Sequence, residues 1–321
     1  MNIKKMILIS LLVVIIAIMI IFVGFNNIKN DKNEEKMNIV VTSFSTYDFV
    51  KHIVGDKANV EFLLGPGIEA HGYEPTAQDL IKIQNSDMFI YIGGEMESWS
   101  EKTLDSLDMS KVKVICLLDT IDKIEEQEVD GAEAESTDET EKEEEIEYDE
   151  HIWTSPANSI IIMSKLEEEI SKLDGENKIE YQNNSKKYIE EIKNVKNEIQ
   201  KIVDSKIRSR LVFGDKMPMQ YFLNEFALTA SAAFNGCSTE TEPSSSTIAY
   251  LINKVNEEKI PVILYIELSS GKVAKTIAEE TGTQAVQIQS LHNVSKDDFN
   301  NGETYVSLMK RNLEVLKKAL Q

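Results

Sequence analysis

Residues 176–208, ENKIEYQNNSKKYIEEIKNVKNEIQKIVDSKIR, contain neither Gly nor Pro, and their apolar side chains keep to one stripe. Tyr181, Tyr188, Ile192, Val195, Ile199 and Ile202 follow one another at spacings of seven, four, three, four and three, the period of an α-helix with one buried face. Unbroken, such a helix is about 45 Å long at 1.5 Å per residue. It is a stiff connector, unlike a Gly/Ser linker. The segments it connects decide the fold.

Upstream, NIVVTSF (38–44), NVEFLL (59–64), MFIYIGG (88–94) and KVKVICLL (111–118) read as short apolar strands, separated by helical stretches such as TYDFVKHIV (46–54) and TAQDLIKIQ (76–84). Downstream the alternation resumes with RLVFG (210–214), LTASAAF (228–234), VILYIE (262–267) and AVQIQSL (285–291), and helices begin at Pro218, Pro243 and Lys272 before a last one runs to Gln321. Short buried strands alternating with helices predict parallel sheets covered on both faces. A faint repeat supports pairing the halves: EPT at 74–76 returns as EPS at 242–244, and FIYI at 89–92 returns as ILYI at 263–266. The expected fold is α/β: two similar, mainly parallel lobes joined by one long helix, with a ligand in the cleft outside the carboxyl ends of their strands. The expected division is 1–37, an N-terminal segment and linker; 38–156, the first lobe; 157–208, helices including the connector; and 209–321, the second lobe.

Residues 6–23 are apolar and uncharged, with Lys4 and Lys5 just ahead of them. That length just spans a bilayer, and the two lysines place the rest of the chain on the extracytoplasmic side. No small-residue cleavage pattern stands out and no cysteine comes after the run to take a lipid. An uncleaved membrane anchor is therefore expected ahead of a cleaved signal. Cys116 and Cys237 lack metal-ligand spacing and flank apolar runs, so they are read as sheltered thiols, with one long-range disulfide as the alternative.

The net charge of −21 is unevenly spread: residues 122–150 carry 16 Asp or Glu against two Lys. A self-repelling segment so poor in aromatics is expected to be a disordered loop, binding cations weakly through oxygen if at all. Nothing basic answers a phosphate backbone, which argues against nucleic acid as a partner.

Of four histidines, His52 lies within a helical stretch, whereas His71, His151 and His292 each fall at a strand edge on the predicted cleft rim. Imidazole is a common ligand of Zn²⁺, and loops converging at strand ends can gather distant residues around one ion.

AHGYEPTAQDL (70–80) closely resembles the signature loop of the zinc/manganese ABC-transporter solute-binding proteins, and DEHIWTSP (149–156) resembles that family's second histidine motif. The resemblance runs from about Asn38 to Gln321 and takes in the connecting helix, the EPS helix start and YIELSSGK. It implies one metal ion held between two lobes, Zn²⁺ first and Mn²⁺ as the alternative, and delivery to an ABC permease with its ATPase by a monomer. It further implies His71 and His151 as first-lobe ligands. The second lobe departs from the pattern: Lys216 stands where the family has His or Glu, and Gln289 or Ser290 where it has Asp. An ammonium cannot ligate. His292, with Asp215 or Glu240, is the expected replacement, Glu267 is a ligand or a support, and Lys216 should be turned away or paired to an acid. A metal-dependent hydrolase would also use histidines and carboxylates, but no HExxH supports it; a switch to a small anionic solute is the other alternative.

Overall fold

The computed structural model describes residues 36–70, 72–132, 147–236 and 242–321, together with Val14, Ile15 and Met19. Apart from those three, the apolar segment 6–23 lies outside the described residues, as do His71, Cys237 and Glu240. Among the described residues no helix is long and apolar enough to cross a membrane.

The first lobe is a sheet of β1 (Met37–Val41), β2 (Ala58–Phe62), β3 (Met88–Tyr91) and β4 (Lys113–Cys116), all parallel in the order β2-β1-β3-β4. Helices α1 (Phe44–Val54), α2 (Ala77–Gln84) and α3 (Trp99–Ser106) connect them. The second lobe repeats the plan with β5 (Arg210–Lys216), β6 (Thr229–Phe234), β7 (Val262–Ile266) and β8 (Gln284–Ile288) in the order β6-β5-β7-β8, also parallel. Its helices are α6 (Gln220–Phe226), α7 (Ser245–Glu258), α8 (Lys272–Thr281), α9 (Lys296–Asn300) and α10 (Tyr305–Leu320). The repeat seen in the sequence falls on equivalent places. FIYI and ILYI form the third strand of each sheet, and Thr76 and Ser244 cap α2 and α7 by the same device, each accepting from the backbone N–H three residues on. That cap satisfies an otherwise orphaned donor in the first turn.

Between the lobes run α4 (Pro156–Leu173) and the connector α5 (Lys178–Asp204), about 40 Å long at 1.5 Å per residue. All six residues of its stripe are buried. Asp48 of α1 ties the connector to both lobes: it accepts from the Tyr188 hydroxyl of α5 and, at 3.1 Å, from the backbone N–H of Tyr305 that opens α10. His52 stacks on Tyr188 with ring centroids 3.7 Å apart, so it is a packing residue. Cys116 is a half-buried free thiol donating to the Ile92 carbonyl.

The expectation of a disordered loop over 122–150 fails at the described ends of the acidic segment, while residues 133–146 lie outside the described residues. The described flanks, 122–132 and 147–150, form a strap. Glu125 and Tyr148 make an antiparallel bridge, and Glu126 N–H donates to Glu147 O at 2.9 Å. The strap then crosses to the second lobe. Ile124 N–H donates to the Tyr221 hydroxyl (3.2 Å), Gln127 N–H to Gln220 Oε1 (3.1 Å), Gln220 Nε2 to Glu125 O (2.7 Å) and Val129 N–H to Asn235 Oδ1 (3.1 Å). Asp130 pairs in parallel with Ser231 on β6, the edge strand of the second sheet, and its carboxylate meets Arg210 at 2.8 Å. Net charge did not foretell this order. The strap is held by its backbone groups and by Asp130 pairing with Arg210, neither of which a charge count registers.

Candidate metal centre

His151 is the first site residue the fold places firmly. It follows the strap and caps a short 3-10 turn, Ile152–Thr154. Glu150 pins the approach by accepting from the backbone N–H groups of Glu95 (2.8 Å) and Met96 (2.9 Å). Gly94 makes room for it: a Cβ there would stand 2.0 Å from a Glu150 carboxylate oxygen, and the residue's φ is +86°. Asp149 accepts from His151 N–H at 2.8 Å and sets its Oδ2 3.5 Å from Nδ1. Burial opposes protonation of the ring, but Asp149, Glu150 and Glu126 outweigh it and push the imidazole up from its ordinary value. A carboxylate on one nitrogen orients the ring to offer the other to a metal.

His292 comes from the opposite lobe, on the loop after β8. Leu291 before it takes a left-handed φ of 67°, a conformation that costs a branched residue energy and that its surroundings must enforce. Those surroundings come from both lobes. Glu267 takes Ser290 N–H and Oγ at 2.6 Å each, and Trp153 Nε1 donates to Ser290 O at 2.9 Å. Phe44 N–H donates to His292 O at 3.1 Å, and Asn293 Nδ2 reaches Gly65 O at 3.1 Å. The His292 ring stacks on Trp153 at 5.0 Å and lies 6.4 Å from that of His151, centroid to centroid.

The two imidazoles line one cavity of about 20 Å³ with Glu69, Ala70, Gly236, Glu267 and Ser290 among its other walls. That is room for one ion or water. Gly236 keeps the wall thin, since a Cβ there would come 3.2 Å from His151 Cε1. Residues 69 and 70 adjoin His71, which itself lies outside the described residues. Among the described residues alone, no three His, Cys, Asp or Glu side chains gather as a metal requires.

The remaining expected residues divide. Asp215 and Lys216 line a second cavity of about 370 Å³, and neither lines the one that holds the histidines. Lys216 makes no ion pair among the described residues, so it does not form the expected salt bridge to an acid there. Glu267 is a support: both its oxygens are taken by Ser290. Glu240 lies outside the described residues. Two residues escaped the sequence reading. Trp153 follows His151 by two in the HIWTSP motif and could have been found there; Glu69, a wall of both cavities, carried no signal among 55 acidic residues.

Known proteins resemble this chain in sequence and in fold. A family model described as zinc-uptake complex component A, periplasmic, matches residues 39–319. The zinc-binding lipoprotein AdcA of Streptococcus pneumoniae is 33% identical over 285 residues, which cover 88% of this chain and 56% of that protein. The high-affinity zinc uptake system protein ZnuA of Bacillus subtilis is 30% identical over 292 residues, 90% of this chain and 89% of that protein. The chain thus spans a little over half the length of the streptococcal relatives and most of the Bacillus one. Among solved structures, the Zn(II)-bound ZnuA-like domain of Streptococcus pneumoniae AdcA superposes with a TM-score of 0.72 at 31% identity, covering 89% of this chain and 99% of that one. By fold, by sequence and by the extent of the match, the chain belongs to the zinc-uptake complex component A family of two-lobed α/β solute-binding proteins.

Proposed function

We propose that this chain is the extracytoplasmic capture component of an ABC importer, binding one Zn²⁺ between its lobes and handing it to a membrane permease driven by an ATPase. The carrying observation is the ion-sized cavity into which the two lobes each contribute a histidine, His151 and His292. Residues 38–156 and 209–321 act as the lobes, and the acidic strap and the helices 157–208 hold them together. His71 is the third ligand in this reading, which is supported by its neighbours Glu69 and Ala70 in the cavity wall and by membership of the family. Histidine-rich sets suit Zn²⁺ better than Mn²⁺. The N-terminal apolar segment anchors a monomeric chain to the membrane, and the protein performs no catalysis.

Elemental analysis of the protein purified without chelator tests the reading. One zinc per chain is expected, with zinc retained against manganese in competition. His71→Ala, His151→Ala and His292→Ala should each lose affinity by a similar factor. His52→Ala, which removes the stack on Tyr188 and the contacts of Nδ1 with Asp48, should bind zinc like the parent while melting lower. No metal, or a preference for manganese, would overturn it.

A further inference from the structure

The larger cavity beside the ion-sized one is more than a metal needs, and two groups in its walls lack partners among the described residues. It lies at the carboxyl ends of β5 and β7, with Gly214, Asp215 and Lys216 on one side, Ser269, Ser270 and Lys272 on the other, and Glu69 of the first lobe across the opening. In the order β6-β5-β7-β8, β5 and β7 are the neighbours from which the chain leaves in opposite directions. Open α/β sheets take their ligands at that switch point. The volume of about 370 Å³ falls in the small-molecule range.

The charges in this cavity are unevenly satisfied. At the rim, Lys272 is paired with Glu242 at 2.9 Å. In the wall shared with the metal cavity, Glu267 is consumed by Ser290. Half-buried Lys216 has no ion pair among the described residues. Asp215 accepts from Lys216 N–H at 2.9 Å through Oδ1, while its buried Oδ2 has no hydrogen-bond partner among those residues. Among the described residues, Lys216, whose ammonium has no anion, and Asp215, whose carboxylate keeps one oxygen without a donor, thus line one space without a salt bridge to each other. Such groups are costly to leave unsatisfied. A simple anion would face the neighbouring carboxylates and a simple cation would face Lys216; a zwitterion meets both.

We propose that this cavity binds a free α-amino acid, its carboxylate against Lys216 and its amino group against the Asp215 carboxylate. Amino and carboxylate groups also chelate divalent metals, and Glu69, Ile266, Glu267 and Leu268 wall both cavities. The amino acid therefore lies beside the cargo and influences its retention. That coupling, though not the amino-acid site itself, rests on the metal-capture reading.

The test is equilibrium dialysis of the full chain, metal-free and zinc-loaded, against a mixture of the common amino acids read by mass spectrometry, with acetate and methylamine as probes bearing a single charge. Retention of one amino acid per chain is expected, with acetate and methylamine at least tenfold weaker. Lys216→Met should weaken amino-acid retention at least tenfold while melting like the parent and still taking zinc. Retention of no amino acid in either form, acetate held as tightly, or a Lys216→Met variant that retains the amino acid unchanged would each overturn the proposal. Zinc uptake without amino acid would sink this site and leave the capture reading standing, and amino acid without zinc would do the reverse.

Discussion

Replacing residues 133–146 by a short Gly/Ser linker should leave the protein as stable as before, whereas Gln220→Ala should destabilise it. Changing the length of a connection alters its closure entropy only slowly, and eight acidic residues leave with this one. Gln220 is different. It is buried, and its side chain makes two hydrogen bonds to the strap, from Gln127 N–H at 3.1 Å and to Glu125 O at 2.7 Å. At roughly 1 kcal/mol net for each, and more if the stranded backbone groups stay dry, the loss is about 2 to 4 kcal/mol. For a protein of this size that lowers the melting midpoint by about 3 to 7 °C. Urea denaturation and calorimetry read the difference directly. Hydrogen exchange adds a local check, because the amides of Ile124, Gln127 and Val129 should exchange slowly in the parent and in the shortened loop, but quickly in Gln220→Ala. If loop replacement costs more than the Gln220 substitution, or if those amides exchange freely in the parent, the strap does not hold the lobes and the segment is a solvated insertion after all.

Glu97 is buried, and burial pushes its carboxyl up to about 7 although Ile92 and Gly93 N–H groups favour the charged form. The folded state therefore keeps a proton that the unfolded chain has released, so stability falls as pH rises from about 4.5 to 7. Glu97→Gln should remove that dependence and stabilise the protein by up to about 3 kcal/mol at pH 8 but not at pH 4; equal denaturation midpoints for variant and parent at pH 8 would refute this. Gly94→Ala should displace Glu150, since its Cβ would sit 2.0 Å from that carboxylate, and so loosen His151. A tenfold or greater loss of zinc affinity with at most a modest change in melting is expected, and unaltered affinity would show that Glu150 does not position the histidine.

The fold was legible because its cues are periodic. The stripe on α5 and the alternation of apolar strands with helices are properties of short windows, and the repeated EPT and EPS caps mark the same turn in each lobe. The site was legible only in part. His151 and His292 could be assigned to a rim because strand ends are visible in the sequence, but the distance between them depends on how one lobe packs on the other. Asp215 shows the limit. In sequence it reads as following a strand as His292 does, but it lies within the last residues of β5 and lines the neighbouring cavity, not the one with the histidines. The strap was misread because charge was summed over the whole segment, when the described flanks, with Ile124 and Val129 half-buried between their acids, are held by backbone hydrogen bonds.

The acidic residues around His151 act on proton and metal at once, and their net effect changes with pH. Asp149, Glu150 and Glu126 favour the imidazolium and raise its pKa above the ordinary value of 6.5; Glu126 is itself raised to about 7, by burial first and then by these same neighbours. Zinc requires the neutral ring, so protons compete as pH falls, and the competition at His151 begins above 6.5. The same field attracts a dication about twice as strongly as a single proton, so at pH 8, where the ring is neutral in either case, the carboxylates strengthen zinc binding. Affinity should therefore stay high near pH 8 and fall by about a hundredfold per pH unit once both His151 and His292 protonate, since each proton displaced contributes a factor of about ten. Glu126→Gln should bind zinc more weakly at pH 8 and begin to lose it at a lower pH, with the far-ultraviolet spectrum unchanged. Affinity that stays flat from pH 7.5 to 5 in the parent would exclude a histidine-held metal, and a Glu126→Gln profile that overlies the parent's would show that the strap carries no electrostatic role at the site.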